Sequence, residues 1–407
     1  MTDDGAAGID VYDWNGGTTG RTVELHDETL REAAQCPSAA AASVADRAAL
    51  LAAMARLGVR SASIGFPASG TREAAECAAL ARGVREASLP LALSAAARAL
   101  PADVAAVAAL GEAAAAPVTA AVFLGLSPIR RRVEGWSLPT LRAMLADALA
   151  EARRLRVRAL FVAEDATRTE PSVLRDMMRI ALDAGVRTLV IADTVGHATP
   201  EGAARLVRFV RDDVLEGSTV RVEWHGHRDR GLAVANCLAA ASAGANCVHG
   251  TALGLGERSG NAETELLAAN LWLAGAFGGD VGEANAYVRL ASAVYGVPVP
   301  ASHPVFGADA FRTATGVHAA AVAKAYSLGG AALADRVYSG VPAAAFGFAQ
   351  SVGLSPASGA AAARWWLERQ GYAADAPAAA RLVAAAKDAG RSLGDAELHA
   401  LCMKVPR

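Results

Sequence analysis

Cysteine is scarce in this chain, and the few cysteines form no recognisable motif. Five occur in 407 residues, and none are spaced like paired metal ligands. An odd number of scattered cysteines is typical of free thiols in a reducing compartment. The sequence therefore gives no sign of a disulfide framework, and we expect a cytoplasmic protein. The five are Cys36, Cys77, Cys237, Cys247 and Cys402.

The chain also lacks an excess of charge and a long apolar run. With 39 basic and 41 acidic residues its net charge is −2, which argues against a nucleic-acid partner. The arginine cluster at 130–132 is expected to form a solvated face. Residues 113–129 are the most apolar stretch, but two prolines interrupt them, so we expect a buried strand and no membrane span. Asp3 and Asp4 do not fit the basic-then-apolar start of a signal peptide.

The order of apolar and helical segments predicts a barrel. Residues 1–20 contain five glycines and no apolar periodicity, so we expect a flexible tail there. After it, β-branched runs alternate with helical stretches, which predicts a (β/α)8 TIM barrel over 21–280. A doubly wound sheet is the alternative, but no glycine-rich phosphate-binding turn follows the first strand. The predicted strands are 22–26, 60–65, 89–94, 118–124, 157–163, 187–192, 220–225 and 246–250.

Polar residues follow these strands where they end. Barrel enzymes build their sites at the carboxyl ends of strands, so we expect these side chains to share one site. The pattern depends on strand placement alone. The residues are Glu32, Arg98, Glu164, Asp165, Thr194, His225, His227 and Asn261.

The segment around His225 and His227 is the strongest chemical signal. Residues two apart in a strand point to the same side, so these two imidazoles face one direction. Two imidazoles and one carboxylate form a metal site with open positions, and we expect Glu32 to supply the carboxylate. This mixed ligand set does not choose among Mg²⁺, Mn²⁺ and Zn²⁺. The alternative is two histidines in a polar turn.

Three segments carry a family resemblance. Residues 26–35 read His-Asp-Glu-Thr-Leu-Arg-Glu-Ala-Ala-Gln, residues 225–236 begin His-Gly-His-Arg-Asp, and residues 254–261 read Gly-Leu-Gly-Glu-Arg-Ser-Gly-Asn. They resemble, in the same order, motifs of the isopropylmalate synthase and homocitrate synthase family of metal-dependent barrels. The resemblance extends over about residues 21–350. It implies that acetyl-CoA supplies an enolate, which attacks a metal-bound 2-oxo acid before the thioester is hydrolysed.

Several residues receive expected roles from their position and from this resemblance. Arg31 has a rigid fork of donors beside Glu32 and is suited to stabilise oxyanion charge. Glu164 is a further carboxylate within reach of the substrate. Asn261 is expected to orient the metal ligands, to cap a helix, or both. Thr194 either binds the substrate carboxylate or satisfies its own turn. The expected substrate-binding residues are Gln35, Thr194, Arg98 and Arg228.

Residues 281–407 are expected to form a linker and small helical subdomains. Three prolines and a glycine in 295–304 indicate the linker. His318 and Tyr338 resemble residues of the family's acid/base machinery. Capping or burial is the alternative role for His318, and interface packing is the alternative for Tyr338. In the family these residues reach the partner subunit's barrel, which implies a homodimer whose swapped C-terminal segment covers the partner's active site.

Departures from the family pattern bear on the substrate. Arg228 stands where the family usually has Asn, and Leu160 and Val162 stand where homocitrate synthases carry Arg and Ser. Arg228 suits a second anionic group on the acceptor, such as that of oxaloacetate or phosphonopyruvate, in the manner of the 2-phosphonomethylmalate synthase branch. The alternative is that Arg228 forms an ion pair with a neighbour such as Asp229.

Three functions therefore compete. The first is an acyltransferase that condenses acetyl-CoA with an anionic 2-oxo acid, with isopropylmalate or homocitrate synthesis as its variants. The second is an acyl-CoA lyase on the same barrel, which the segment with His318 and Tyr338 argues against. The third is a non-catalytic relative, which the intact set of polar residues makes the weakest.

Overall fold

The structure is a computed structural model that describes residues 11–12, 14–15 and 20–403. The tail predicted for residues 1–20 lies almost entirely outside these described residues. The chain divides into two compact units, one ending at Pro298 and the other beginning at Val299. None of the described helices is long and apolar enough to cross a membrane.

The first unit contains a closed barrel of eight parallel strands, which confirms the predicted TIM barrel. The first strand closes the barrel by pairing with the eighth, from Glu24 beside Cys247 to Asp27 beside Gly250. The strands are β1 (Glu24–Asp27), β2 (Ser61–Ser63), β3 (Ala92–Arg98), β4 (Val118–Gly125), β5 (Ala159–Glu164), β6 (Thr188–Asp193), β7 (Arg221–Gly226) and β8 (Cys247–Gly250).

Eleven helices belong to this unit in the part of the chain that is described, and most of them alternate with the strands. They are α1 (Thr29–Glu32), α2 (Val44–Leu57), α3 (Thr71–Glu86), α4 (Pro101–Ala114), α5 (Pro128–Glu134), α6 (Leu138–Arg154), α7 (Pro171–Asp183), α8 (Pro200–Phe209), α9 (Ala233–Ser242), α10 (Thr264–Leu273) and α11 (Ala284–Tyr295). A short π-helical turn over Val210–Val214 continues α8. Packing of α11 against α2 extends the unit beyond residue 280, where the sequence placed its end.

Local sequence signals set the ends of these helices. Ser43 and Asp46 form a capping box at the start of α2, in which the Ser43 hydroxyl accepts a hydrogen bond from the Asp46 amide. The helix ends at Gly58, whose φ of 98° lies in the left-handed region that favours glycine. Proline occupies the first or second position of α4, α5, α6, α7 and α8. An N–H at these positions has no partner within the helix, so proline, which lacks the N–H, costs no hydrogen bond there.

One predicted strand is displaced in the structure. The strand predicted over 89–94 runs over Ala92–Arg98. Ser88 has a φ of 51°, and Pro90 follows it, so the turn after α3 takes up more residues than the sequence pattern indicated.

The two faces of the barrel strands carry different side chains. Trp224 on β7, Phe161 on β5 and Leu25 on β1 are fully buried and alternate along their strands with the inward-facing His225, Val162 and His26, so they pack between the strands and the helices. Ala96 on β3 and Ala192 on β6 instead lie nearer the carboxyl ends of the strands, where they line a cavity. Short side chains at these positions leave the space that larger residues would fill.

The second unit has its own apolar core. It contains helices α12 (Gly316–Val337), α13 (Ala360–Arg369), α14 (Ala376–Ala389) and α15 (Asp395–Met403), and the parallel strands β9 (Arg312–Thr313) and β10 (Ser351–Val352). Non-helical dihedral angles at Gly329 and Gly330 kink α12. Its core includes Val322, Leu354, Trp366, Leu367 and Leu382.

Candidate active site

A cavity of about 450 Å³ opens at the carboxyl ends of the barrel strands. This is the end at which the sequence analysis expected the polar residues to meet. The cavity has an apolar wall and a polar floor. Its lining residues are Glu28, Arg31, Glu32, Gln35, Ser63, Ala96, Ala121, Phe123, Arg130, Val162, Glu164, Val190, Ala192, Thr194, His225, His227, His249 and Glu257.

The three predicted metal ligands converge in this cavity. Glu32 ends α1, His225 lies on β7, and His227 follows that strand directly. We call these residues the Glu32 group. One donor atom from each lies within 4.8 Å of the others, and the His225 Nε2 is 3.9 Å from the Glu32 Oε1. All three side chains are buried, which is costly for polar groups unless they have partners.

The free atoms of the Glu32 group fit a metal ion. Glu32 Oε2 and His227 Nδ1 are buried without hydrogen-bond partners. Burial lowers the pKa of His225 well below its usual range and also lowers the pKa of His227, so both imidazoles are neutral with a lone pair available. Neutral imidazoles and a carboxylate are the protonation states in which these side chains bind a divalent ion.

Arg31 lies between two glutamates at the edge of the cavity. Its Nε donates to Glu28 Oε2 at 2.7 Å, and its Nη2 donates to Glu32 Oε1 at 2.8 Å. Burial alone would lower the pKa of Arg31, but the charges of Glu28 and Glu32 outweigh it and raise that pKa. The guanidinium therefore stays charged and is fixed in place by both carboxylates.

A second polar group in the cavity floor was missed by the sequence analysis. His26 and His249 are paired across β1 and β8, and both lie beside Glu28. We call His26, Glu28 and His249 the Glu28 group. Glu28 Oε1 is 3.3 Å from His26 Nε2 and 3.5 Å from His249 Nδ1. The available signal was the placement of histidines inside two predicted strands of the barrel, where apolar residues are expected.

The charged side chains in the floor change one another's pKa values. Burial would raise the pKa of Glu28, but Arg31, His249 and His26 hold that pKa well below its usual range. Burial would likewise raise the pKa of Glu223, yet its hydrogen bond to His249 and the charges of His249 and Arg221 lower that pKa to about 2. Burial opposes charge on His249, but its hydrogen bond to Glu223 and the negative charges of Glu223 and Glu28 raise its pKa. The floor is therefore a network of paired charges.

Asp27, which lies in the first motif, has a structural position. Its carboxylate accepts hydrogen bonds from the Tyr287 hydroxyl at 2.5 Å, the Thr264 hydroxyl at 2.8 Å and the Thr29 amide at 2.8 Å. It is fully buried and does not line the cavity. These contacts tie β1 to α10 and α11 and so hold the segment that carries Arg31 and Glu32.

The cavity also contains Gln35, Thr194 and Glu164, as the sequence analysis expected. The Thr194 hydroxyl accepts a hydrogen bond from the Asp165 amide at 2.8 Å, which ties the loops after β5 and β6 together. Burial raises the pKa of Glu164, although Arg130 opposes this from 3.6 Å. Arg130 is exposed, as expected for its cluster, and it also lines the cavity, which the sequence pattern did not indicate.

The structure corrects the substrate-binding positions of Arg228 and Arg98. Arg228 turns away from the cavity and bonds the Glu263 carboxylate and the Ser259 carbonyl oxygen. The ion-pair alternative is therefore the observed arrangement, with Glu263 in place of Asp229 as the partner. Arg98 is bound by both carboxylate oxygens of Asp103, at 2.7 and 2.9 Å, and is not among the cavity-lining residues.

Two further expectations change. Leu160 lies on β5 away from the cavity and lines a separate depression with Thr119 and Thr188, whereas Val162 lines the cavity as expected. Asn261 does not cap α10, because Glu263 holds that position. Its Nδ2 donates to the Leu255 carbonyl oxygen at 2.9 Å, and its backbone pairs with that of His227. Asn261 thus lies next to a residue of the Glu32 group.

His318 and Tyr338 both belong to the second unit. Their ring centroids are 4.2 Å apart, and Tyr338 is 47% exposed. The two rings thus form a contact with each other at the surface of their own unit. Their expected roles in catalysis stay predictions.

Comparison with known proteins identifies the family. Residues 22–290 match the HMGL-like family. The chain is 38% identical over 315 residues to the 2-isopropylmalate synthase of Methylacidiphilum infernorum, covering 74% of this chain and 60% of that protein. It is 32% identical over 387 residues to the 2-isopropylmalate synthase of Pyrococcus furiosus, covering 93% of this chain and 74% of that protein. With Brevibacillus brevis 2-isopropylmalate synthase the identity is 33%, and 59% of that protein is covered.

Solved structures with the same fold include two HMG-CoA lyases. The lyase of Bacillus subtilis gives a TM-score of 0.58 at 16% identity, covering 70% of this chain and 97% of that one. The lyase of Pseudomonas aeruginosa gives 0.57 at 21% identity, covering 67% of this chain and 93% of that one. At these identities the likeness concerns the barrel fold alone. From the family match and the relatives above, the chain belongs to the HMGL-like family and is similar to its 2-isopropylmalate synthases.

Proposed function

We propose that this protein is an acyltransferase that condenses acetyl-CoA with a 2-oxo acid. The thioester methyl group loses a proton and forms a carbon–carbon bond to the keto carbon, whose oxygen takes up a proton. Water then cleaves the thioester to release CoA and a carboxylate. The observation that carries the proposal is the convergence of Arg31 with the Glu32 group in one buried cavity. Relatives named 2-isopropylmalate synthase support it, although the chain spans only about three fifths of some of them.

Glu32, His225 and His227 would hold a divalent metal ion in this reaction. When bound, the ion would supply Lewis-acid polarisation of the acceptor's ketone. The side chains are already arranged for this, because Glu32 Oε2 and His227 Nδ1 have no other partner. Asn261, whose backbone pairs with that of His227, would keep the histidine in position.

Arg31 would stabilise negative charge on the oxygen that develops from the ketone. Two carboxylates fix its guanidinium, so little reorganisation is needed when charge appears. Gln35 and Thr194 line the same cavity and would bind the acceptor's carboxylate. Burial raises the pKa of Glu164, which favours its protonated form and suits a carboxyl group that donates a proton.

His318 and Tyr338 would complete the acid/base machinery from a partner subunit. Their aromatic rings lie against each other in the second unit, so the two side chains would act together. We propose a homodimer in which this segment covers the partner's cavity. Mixing His318→Ala protein with Glu32→Ala protein tests the arrangement: activity should return on subunit exchange, and exchange without activity contradicts a swapped dimer.

The acceptor is proposed to carry a second acidic group, as oxaloacetate and phosphonopyruvate do. Arg228 does not support a second acidic group on the acceptor, because it is paired with Glu263 outside the cavity. The support is the polar part of the cavity lining, in which Ser63 would lack a hydrogen-bonding partner against an alkyl group. The apolar wall of Phe123, Val162 and Val190 favours a second candidate, 2-oxoisovalerate.

A CoA-release assay tests the proposed function. The full-length protein is supplied with acetyl-CoA, a divalent metal and each of a panel of 2-oxo acids. We expect CoA release that depends on the acceptor, fastest with oxaloacetate or phosphonopyruvate. Faster release with 2-oxoisovalerate would assign isopropylmalate synthesis instead, and cleavage of a hydroxyacyl-CoA without any condensation would assign a lyase.

A further inference from the structure

The Glu28 group has the composition of a metal site but lies apart from the Glu32 group. Each group contributes one glutamate and two histidines, and the nearest histidines of the two groups, His225 and His249, have ring centroids 5.6 Å apart. We infer that the cavity floor holds a second divalent-metal site whose ligands are His26, Glu28 and His249. Two buried imidazoles and a carboxylate can bind a divalent ion, and this ligand set alone does not choose among such ions.

Distances within the Glu28 group match those between ligands of one ion. Glu28 Oε1 is 3.3 Å from His26 Nε2 and 3.5 Å from His249 Nδ1. Tetrahedral zinc has metal–ligand bonds of about 2.0–2.1 Å, which set neighbouring ligand atoms about 3.3 Å apart. Glu28 is therefore already close to the spacing that one ion requires from each histidine, and all three donor atoms lie within 4.8 Å of one another.

The outward-facing nitrogen of each histidine is held in the way that metal ligands usually are. His26 Nδ1 is 2.7 Å from the Ser61 hydroxyl, and His249 Nε2 is 2.8 Å from Glu223 Oε2. Glu223 is bonded in turn by Arg221, whose other nitrogen reaches Glu24 at 2.7 Å. Such outer partners fix the ring orientation and leave the inner nitrogen for the ion.

The inner atoms lack other partners. His249 is 4% exposed, and its Nδ1 has no hydrogen-bond partner. Arg31 occupies Glu28 Oε2, so Oε1 is the oxygen that faces the two imidazoles. An unpaired buried nitrogen is costly unless something binds it, and a cation at this point would satisfy it.

Arg31 separates the two groups and explains why one ion would not serve both. It binds Glu28 Oε2 and Glu32 Oε1, which leaves Glu28 Oε1 facing His26 and His249 and leaves Glu32 Oε2 without a partner. The competing arrangement is a proton on His249 between Glu28 and Glu223, with no metal. A bound ion would replace that proton, because imidazole binds metals only when the ligating nitrogen is unprotonated.

Counting bound ions tests the inference without relying on catalysis. Full-length protein is stripped with a chelator, titrated with Co²⁺, freed of excess ion and analysed for cobalt and for its visible spectrum. We expect two ions per chain in the native protein and one in His249→Ala. Glu28→Gln, which keeps the shape of the side chain, should also bind one. The matched control, His197→Ala, removes an exposed barrel histidine and should bind two.

Further variants assign each ion to its group. Glu32→Gln should lose the other ion, and Glu223→Gln should weaken the second site about 10–100-fold because it replaces the charged outer partner of His249 with a neutral one. One ion in the native protein, unchanged in Glu28→Gln, would overturn the inference, as would two ions retained in both His249→Ala and Glu28→Gln. If the protein binds two ions but does not consume acetyl-CoA, the second metal site is supported and the proposed function is rejected.

Discussion

The Glu32 group and the Glu28 group share a cavity, an arginine and a composition, yet the chain builds them differently. The Glu32 group comes from residues at or beyond the ends of strands, and His225 and His227 are nearly adjacent in sequence. The Glu28 group depends on the register of β1 against β8, which sets His26 beside His249 although the two are far apart along the chain. The Glu32 group can therefore be recognised from a short sequence motif, whereas the Glu28 group can be recognised only from the pairing of β1 with β8.

The groups also differ in how their charges are balanced. Both histidines of the Glu32 group are neutral because burial lowers their pKa values. In the Glu28 group, carboxylates on two sides raise the pKa of His249. Without metal, the Glu32 group therefore has imidazoles with free lone pairs, whereas the Glu28 group is a set of ion pairs. We expect the Glu32 group to bind an ion at lower pH than the Glu28 group does.

The largest expected effect separates the groups by catalysis. Glu32→Ala removes the carboxylate of the group that we assign to ketone activation, and should lower turnover by about 1,000-fold or more. Glu28→Gln keeps a polar side chain in the other group and should lower turnover much less. The measurement is steady-state CoA release with acetyl-CoA and the best acceptor. Equal losses in the two variants would show that the groups do not have separate roles.

The second prediction concerns the arginine shared by both groups. Arg31→Lys keeps the charge but loses the fork that binds Glu28 and Glu32 together. We expect kcat to fall by about 100-fold, in the range seen when one oxyanion donor is removed. Metal content should stay at the native value, which elemental analysis checks. A native kcat in this variant would exclude Arg31 from transition-state stabilisation.

The third prediction is a pH dependence of stability in the floor. The pKa of Glu223 is about 2 in the folded protein against an ordinary value of 4.5, so its ionised form stabilises the fold. That contribution is present above the ordinary value and is lost as the pH falls toward about 2. In chelator-treated protein, the difference in unfolding free energy between native and Glu223→Gln should therefore shrink from pH 6 to pH 3.

Urea unfolding at several pH values makes this measurement. Glu257→Gln is the matched control, because Glu257 lines the same cavity but is exposed. Its difference from the native protein should change little over this pH interval. A Glu223→Gln difference that is constant from pH 6 to pH 3 would mean that the Glu223 carboxylate is not stabilised by His249 and Arg221.

The smallest expected effect concerns Arg228. Arg228→Asn should leave the ratio of turnover between oxaloacetate and 2-oxoisovalerate within about twofold, because the side chain lies outside the cavity. Loss of its partly exposed pair with Glu263 should cost about 1 kcal/mol or less in stability. Arg130→Gln, which changes a cation that does line the cavity, is the comparison variant. A large change in this turnover ratio in Arg228→Asn would show that Arg228 recognises the second acidic group of the acceptor after all.

Much of the barrel was predictable because its helices and strands have local signals. Proline and serine mark the helix starts, glycine marks several ends, and β-branched runs mark the strands. The His-x-His spacing at the end of β7 and the Arg31-Glu32 pair after β1 led to the Glu32 group. Residues at strand ends must face the same cavity once the barrel closes, so their meeting followed from the fold.

The remaining features depend on contacts that the sequence pattern does not encode. Arg228 and Arg98 were expected in the cavity, but Glu263 and Asp103 provide closer carboxylates and hold them elsewhere. Arg130 was expected in solvent and is exposed, but its position on α5 also brings it to the cavity. A long side chain takes the nearest suitable partner, and that partner is known only when the tertiary structure is known.

The central claim is that the Glu32 group performs a condensation of acetyl-CoA with a 2-oxo acid. The most direct measurement is CoA release and product formation by the metal-loaded full-length protein. The control is Glu32→Ala protein that is folded to the same extent. We predict acceptor-dependent release of CoA with one new hydroxy acid formed per CoA, abolished in Glu32→Ala. No release with any 2-oxo acid by the folded native protein, or equal release by Glu32→Ala, would contradict the claim.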